Sequence, residues 1–184
     1  EGDVVAEVGA FVRLQHDDAL GIETLCLYVQ GIKVKAQQGQ HYRFMAYAAE
    51  DNHPLVAALV KRLSPLPDRK LHIHVAKAGN FTAEVQRLAR ALWPDHGHAI
   101  TATCFRHQWS ADVKSTGDAD AARRGLGHRS VKTRKYYGTA HQARDRHAVR
   151  PVRIEADLPL RALPARARPI APSYINSKHV AEMG

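Results

Sequence analysis

At 184 residues the chain is long enough to bury a real core as one domain, or as one domain with a tail. Its 45% hydrophobic content argues for a globular protein, no apolar run approaches the roughly 20 residues needed to span a bilayer, and no signal-peptide pattern opens the chain. With 27 Lys+Arg against 18 Asp+Glu the formal charge is +9, a balance that attracts polyanions, nucleic acid first among them.

In chain order, residues 3–14 place Val4, Val8, Phe11 and Leu14 at near-helical spacing and predict an amphipathic helix. His16-Asp17-Asp18 makes a cap for a second helix running to about Val29, with Leu20, Leu25 and Leu27 inward and Gly31 as its breaker. Residues 32–36 and 42–48 alternate apolar and polar around Gln37-Gln38-Gly39-Gln40 and predict a β-hairpin. A helix from about His53 to Leu63 ends at Ser64-Pro65-Leu66-Pro67. Residues 71–75 suit a short strand or a loop. A helix entered at Asn80 and Thr82 carries Phe81, Val85, Leu88 and Leu92 on one face and stops at Pro94. Three more helices are predicted at about 104–115, 118–126 and 130–138. From 141 onward Arg and Pro dominate and periodicity fails, which predicts an extended tail, with Ile154, Leu158, Leu160 and Leu163 available to dock on a neighbour.

The positive charge is concentrated. Residues 101–150 hold 11 Lys/Arg and four acids, a net +7 of the chain's +9. Such a concentration reads as a nucleic-acid footprint, for which Arg123, Arg124, Arg129, Lys132, Arg134 and Lys135 are the candidate DNA contacts. Cys26 and Cys104 lie in no motif and fit a reducing cytoplasm. The pairs His72/His74 and His96/His98 lack the company a metal site needs, so no metal and no cofactor is expected. The first residue is Glu, which suggests a piece of something longer.

Within the basic segment three features recur in order. Arg106-His107 sits in a predicted helix, Leu126-Gly127-His128 follows with His128 22 residues after Arg106, and Tyr137 lies nine residues beyond His128. Singly they are ordinary: a helix-surface arginine, a histidine in a helix-ending turn, a packing aromatic beside an exposed Tyr136. Together, order and gaps resemble the second and third catalytic boxes of the tyrosine recombinase (phage integrase) family. The resemblance implies DNA cleavage by a tyrosine hydroxyl, through a 3′-phosphotyrosine and a free 5′-hydroxyl. It assigns Arg106 to clamp the scissile phosphate, His128 to donate a hydrogen bond to it, Tyr137 to attack, and His107 to support the site. A planar guanidinium suits the charge that gathers on the non-bridging oxygens.

The resemblance thins upstream. The family's first catalytic arginine aligns with Leu20, and Arg13 lies seven residues too early to take its place. The hairpin lysine that protonates the leaving oxygen aligns with Gln38; Lys33 and Lys35 lie on the preceding strand and serve only in another register. Thr103 occupies the position three before Arg106, where the family has His or Lys. Losing one preorganised donor costs about 3–4 kcal/mol, roughly 100- to 1000-fold in rate.

The resemblance therefore implies an α+β but mainly helical fold: an integrase-like helical bundle with a small antiparallel hairpin and an extended C-terminal tail. It places a catalytic domain at 1–140 and a basic Pro/Arg-rich tail at 141–184, extended or packed on a neighbouring protomer. Arm-binding and core-binding domains of a longer integrase are absent from this sequence. Three readings stay open: an integrase acting on double-stranded DNA as a homo-oligomer, a DNA-binding module that has lost cleavage and, more remotely, an unrelated helical DNA-binding protein whose recombinase-like boxes arose by chance. The first two would work in a bacterial or phage-infected cytoplasm, on the nucleoid and away from membranes.

Overall fold

A computed structural model of the chain describes residues 9–31, 39–130, 137–143 and 148–161. Its centre is a five-stranded antiparallel sheet, and this overturns the expected helical bundle with a small hairpin. The strands are β1 (Ala10–Asp17), β2 (Ile22–Gln30), β3 (Tyr42–Ala48), β4 (Lys70–Ile73) and β5 (Arg153–Ala156), in spatial order β4-β1-β2-β3-β5. The helices are α1 (Pro54–Leu63), α2 (Ala78–Leu92), α3 (Ala102–Lys114) and α4 (Ala119–Leu126).

Both N-terminal segments expected as helices are strands where they are described. β1 and β2 pair from Ala10↔Val29 to Asp17↔Ile22. The residues expected to cap a second helix make the turn between them instead. Asp17 Oδ1 accepts from Ala19 N and Leu20 N (3.2 and 3.3 Å), and Gly21, at φ 68°, closes the turn onto Asp17 O (2.7 Å). An aspartate accepts backbone N–H groups equally well at a helix cap and in a turn, and the left-handed glycine decides for the turn. β2 lies at the centre of the sheet and is apolar on both faces, so its run Leu-Cys-Leu-Tyr-Val loses the alternation that marks a strand.

β3 pairs with β2 from Thr24↔Ala48 to Gln30↔Tyr42. The expected partner of β3, residues 32–36, lies outside the described residues. On its other side β3 pairs with β5, from Arg43↔Ala156 to Ala46↔Arg153. The chain beyond 140, expected as tail, thus supplies a sheet strand, and the expected domain boundary at 140 falls short of it. Gln40, 1% exposed, fixes this return with its side chain: Nε2 donates to Leu158 O (2.8 Å) and Oε1 accepts from Leu158 N (2.9 Å). The tail from 162 lies outside the described residues.

One face of the sheet carries the main core. Val12, Leu14 and Leu25 pack there against Val56 and Leu63 of α1, with Leu27, Tyr47 and Leu71 around them. Burying each such side chain stabilises by about 1.5–3 kcal/mol. α1 starts where His53 Nδ1 accepts from Leu55 N and Pro54 fills the first helical position; Lys61 and Arg62 in its last turn complement the helix dipole. On the opposite face Phe11, Tyr28 and Phe44 form a stacked cross-strand row. Arg153 lies over Phe44 and reaches the buried Asp17 carboxylate at 3.1 Å.

α3 and α4 pack on each other, and α4 packs on β3 and β5. α2 makes no comparable contact with another described element. The apolar face expected from its sequence is open, with Phe81, Leu88 and Leu92 exposed. The helix expected over 130–138 is not continuous, because Ser130, Tyr137 and Gly138 are non-helical; 131–136 lie outside the described residues. Among the described residues no helix is long and apolar enough to cross a membrane.

Candidate active site

α3 begins at Thr101, whose backbone and hydroxyl engage Cys104 in a reciprocal cap. From there the helix carries Arg106, His107, Trp109 and Lys114 past the end of α4. Trp109 Nε1 donates to Tyr47 Oη on β3 (3.0 Å) and anchors α3 to the sheet. Thr103 is exposed on the first turn of α3.

α4 is capped by Asp118, whose carboxylate accepts from Ala121 N (2.7 Å), and ends at Gly127 in the left-handed conformation, φ 76°. A helix leaves its last carbonyls without partners, and here three in a row are claimed from outside. Arg43 Nε of β3 donates to Gly125 O (2.8 Å), Arg106 Nη2 of α3 to Leu126 O (3.3 Å), and Gln40 N to Gly127 O (3.1 Å). Gly127 is doubly constrained, since a Cβ there would lie 2.7 Å from Arg43 Nη1. The chain leaves this end so that His128 bridges to Gly39 beside the sheet.

Tyr137 returns to the same place. Its ring centroid lies 5.0 Å from that of His128 and 5.2 Å from that of His107, and the Arg106 guanidinium sits 5.3 Å from it. Lys114 Nζ donates to Tyr137 O (2.6 Å) and Gly138 O (2.7 Å), while Gly138 N donates to His107 Nδ1 (3.2 Å). The structure therefore brings Arg106, His107, His128 and Tyr137 together.

Positive charge surrounds His128. Burial, then Arg106, Arg43, Arg123 and Lys114, pull the His128 pKa from 6.5 down to about 4. Burial, then Arg106, also lowers Arg43. At neutral pH His128 is thus an uncharged ring that offers one N–H, flanked by two fixed guanidiniums.

Other expected residues are placed differently. Arg123, expected to contact DNA, is 5% exposed and bolts the interior: Nη1 meets Asp120 Oδ1 at 2.7 Å, and Nη2 donates to Arg129 O (2.8 Å) and Arg161 O (3.2 Å). Arg124 pairs with Asp118 at 3.4 Å, and Arg129 Nε reaches Pro159 O. Lys132, Arg134, Lys135, Lys35 and Gln38 lie outside the described residues. Leu20 sits in the β1–β2 turn, while Arg43 pairs with Val29 seven residues further along β2 than Ile22. At about 3.4 Å per residue they are roughly 25 Å apart along the strand, so Leu20 is remote from the site. His98 N donates to His96 Nδ1, and no group of three or more His, Cys, Asp or Glu fit to hold a metal occurs among the described residues.

Sequence reasoning missed Arg43 and Lys114. Arg43 stands in phase with Met45 and Tyr47, the helix-covered side of β3, and a charge in that phase of an alternating strand is the available signal. Lys114 lies seven residues after His107, on the same helical face. No family profile, curated protein or solved structure matches the chain.

Proposed function

We propose that this chain is a tyrosine-recombinase-type domain, a site-specific recombinase or integrase that cuts and rejoins double-stranded DNA with Tyr137 as nucleophile. One observation carries the reading: Arg106 on α3 and His128 beyond the end of α4 both lie against the Tyr137 ring. In the proposed step Tyr137 Oη attacks a backbone phosphorus and the P–O5′ bond breaks. The tyrosine proton ends on the leaving 5′-oxygen. The phosphotyrosine bond conserves the phosphodiester's energy, so the reverse attack by a second 5′-hydroxyl reseals the strand, and the scheme calls for no cofactor.

Arg106 neutralises the non-bridging oxygens, where charge builds up, and neutral His128 donates one hydrogen bond. Lys114 and His107 hold the backbone at Tyr137 and Gly138 and so set the nucleophile's approach. Lys132, Arg134 and Lys135, in the basic segment between His128 and Tyr137, are the proposed duplex contacts. A partner protomer engages the tail from 162, and the work takes place in the cytoplasm of a bacterium or phage-infected cell.

A second reading is a DNA-binding module that has lost cleavage. It is favoured by Lys114, whose ammonium donates to two backbone carbonyls, Tyr137 O and Gly138 O. Incubating the full chain with a pool of nicked random duplexes separates the two. The recombinase reading predicts an SDS-resistant protein–DNA adduct that Tyr137→Phe abolishes. No adduct from the wild type removes the enzyme and leaves the module. Either reading requires affinity to fall steeply with salt, by a log–log slope of about −0.9 per phosphate contacted, and a flat response between low and moderate salt contradicts both.

A further inference from the structure

We propose that Arg43, from strand β3, is a direct phosphate ligand: the second guanidinium beside Arg106, gripping the non-bridging oxygens of the phosphodiester that Tyr137 attacks. The inference rests on the proposed recombinase site and deepens it, because it names a phosphate contact that neither the motif spacing nor Leu20 supplies.

Geometry is the first ground. Arg43 and Arg106 hold successive carbonyls, Gly125 O and Leu126 O, so their guanidiniums are neighbours at one helix end. Each spends one N–H there. A guanidinium has five, and among the described residues the remaining donors of both arginines meet no protein acceptor.

Charge is the second ground. No carboxylate lies within ion-pair distance of either arginine among the described residues, although a half-buried cation such as Arg43 ordinarily finds one; Arg106 is exposed. Two cations held together against their repulsion, Arg43 on the covered side of the sheet and Arg106 at the open side of α3, are stabilised when an anion arrives. The helix end explains little of this, because an uncharged amide would satisfy Gly125 O as well. His128 adds an N–H and no positive charge, which leaves the arginines to match a phosphate monoanion. The two planar forks approach from different elements, β3 and α3, a geometry suited to a tetrahedral oxyanion.

The test uses the full chain and inorganic phosphate as the probe, read by the Nε–Hε NMR signals of its arginines. Arg43 and Arg106 are expected to shift together along one saturation curve. Arg43→Gln, which retains an amide donor for Gly125 O, should weaken phosphate binding by about 10- to 100-fold, the loss typical of a charged hydrogen bond. The same change at the exposed Arg90 of α2 should leave it alone. Should Arg43→Gln fail to fold, Arg43→Lys, which retains charge without the fork, should bind phosphate several-fold more weakly than wild type.

An Arg43 signal that stays still while Arg106 shifts, or wild-type phosphate affinity in Arg43→Gln, overturns the proposal. Its failure is separable from that of the enzyme reading, since phosphate binding needs no attack by Tyr137. Shared shifts without any covalent adduct support Arg43 and remove cleavage. An adduct formed by Arg43→Gln at the wild-type rate removes Arg43 and supports cleavage.

Discussion

Lowering the pH should destabilise this protein through His128, and the effect can be sized from its surroundings. The ring is held by burial and by Arg106, Arg43, Arg123 and Lys114 at a pKa of about 4 instead of 6.5. In the unfolded chain the same ring takes up a proton near 6.5, so between the two values the unfolded state binds more protons. Stability contributed by the neutral ring is present above pH 6.5, falls as the pH drops towards 4, and changes no further below that. At about 1.4 kcal/mol per pH unit the ceiling is roughly 3 kcal/mol. The ring is only half-buried, and solvent screening reduces this to on the order of 1–2 kcal/mol. Denaturant unfolding at pH 7 and at pH 4.5, in wild type and His128→Gln, isolates the contribution: the variant should lose less stability on acidification by that margin. Inorganic phosphate should move the wild-type midpoint, followed by the ring's NMR shift, upward by about a unit or more, because an anion offsets the arginines. A midpoint at 6.5 or above in phosphate-free buffer would refute the placement of His128 among those cations.

The fold was legible where one face of an element was apolar and the other was not. α1, α3 and α4 follow their sequence patterns to within about two residues of the expected ends, and β3 keeps its alternation. β1 and β2 fail for a shared reason. A strand inside a five-stranded sheet packs on both faces, and its side chains then carry no period to distinguish it from a buried helix. The turn at Asp17–Gly21 repeats cap chemistry, so the boundary signal pointed the wrong way as well. β5 is the converse case: four residues in a Pro/Arg-rich stretch, recruited only because β3 offers an open edge.

At the site, residues carried by a motif were legible and residues delivered by topology were not. Arg106, His128 and Tyr137 fall within one short stretch, where order and spacing can be read along the chain. Arg43 arrives from a strand more than sixty positions away from Arg106, and its partner is a backbone carbonyl that carries no sequence signature. Arg123 illustrates the opposite error. A basic residue in a basic segment invites assignment to DNA, yet its guanidinium is consumed by one acid and two backbone carbonyls.

Two further perturbations test the frame that holds these residues. Gly125→Ala ordinarily stabilises a helix by up to about 1 kcal/mol, but here the new Cβ would lie 2.2 Å from Trp109 Cη2. The indole must leave Tyr47, and the expected sign reverses to a loss of about 1–3 kcal/mol, a drop of about 2–10 °C in Tm with red-shifted tryptophan emission; a raised Tm would place Trp109 elsewhere. Lys114→Met removes the ammonium that ties Tyr137 O and Gly138 O to α3. Charged hydrogen bonds contribute about 1.5–3 kcal/mol each, so the backbone at Tyr137–Gly138 should exchange its amide hydrogens at least about tenfold faster, a readout that needs no chemistry. On the proposed recombinase reading, adduct formation should slow about 10- to 100-fold as the position of Tyr137 loosens. DNA affinity should hold within about threefold, because the ammonium faces protein carbonyls and not the duplex. Equal losses in affinity and adduct rate would make Lys114 a DNA contact; unchanged exchange at Gly138 would mean that His107 alone holds the backbone there.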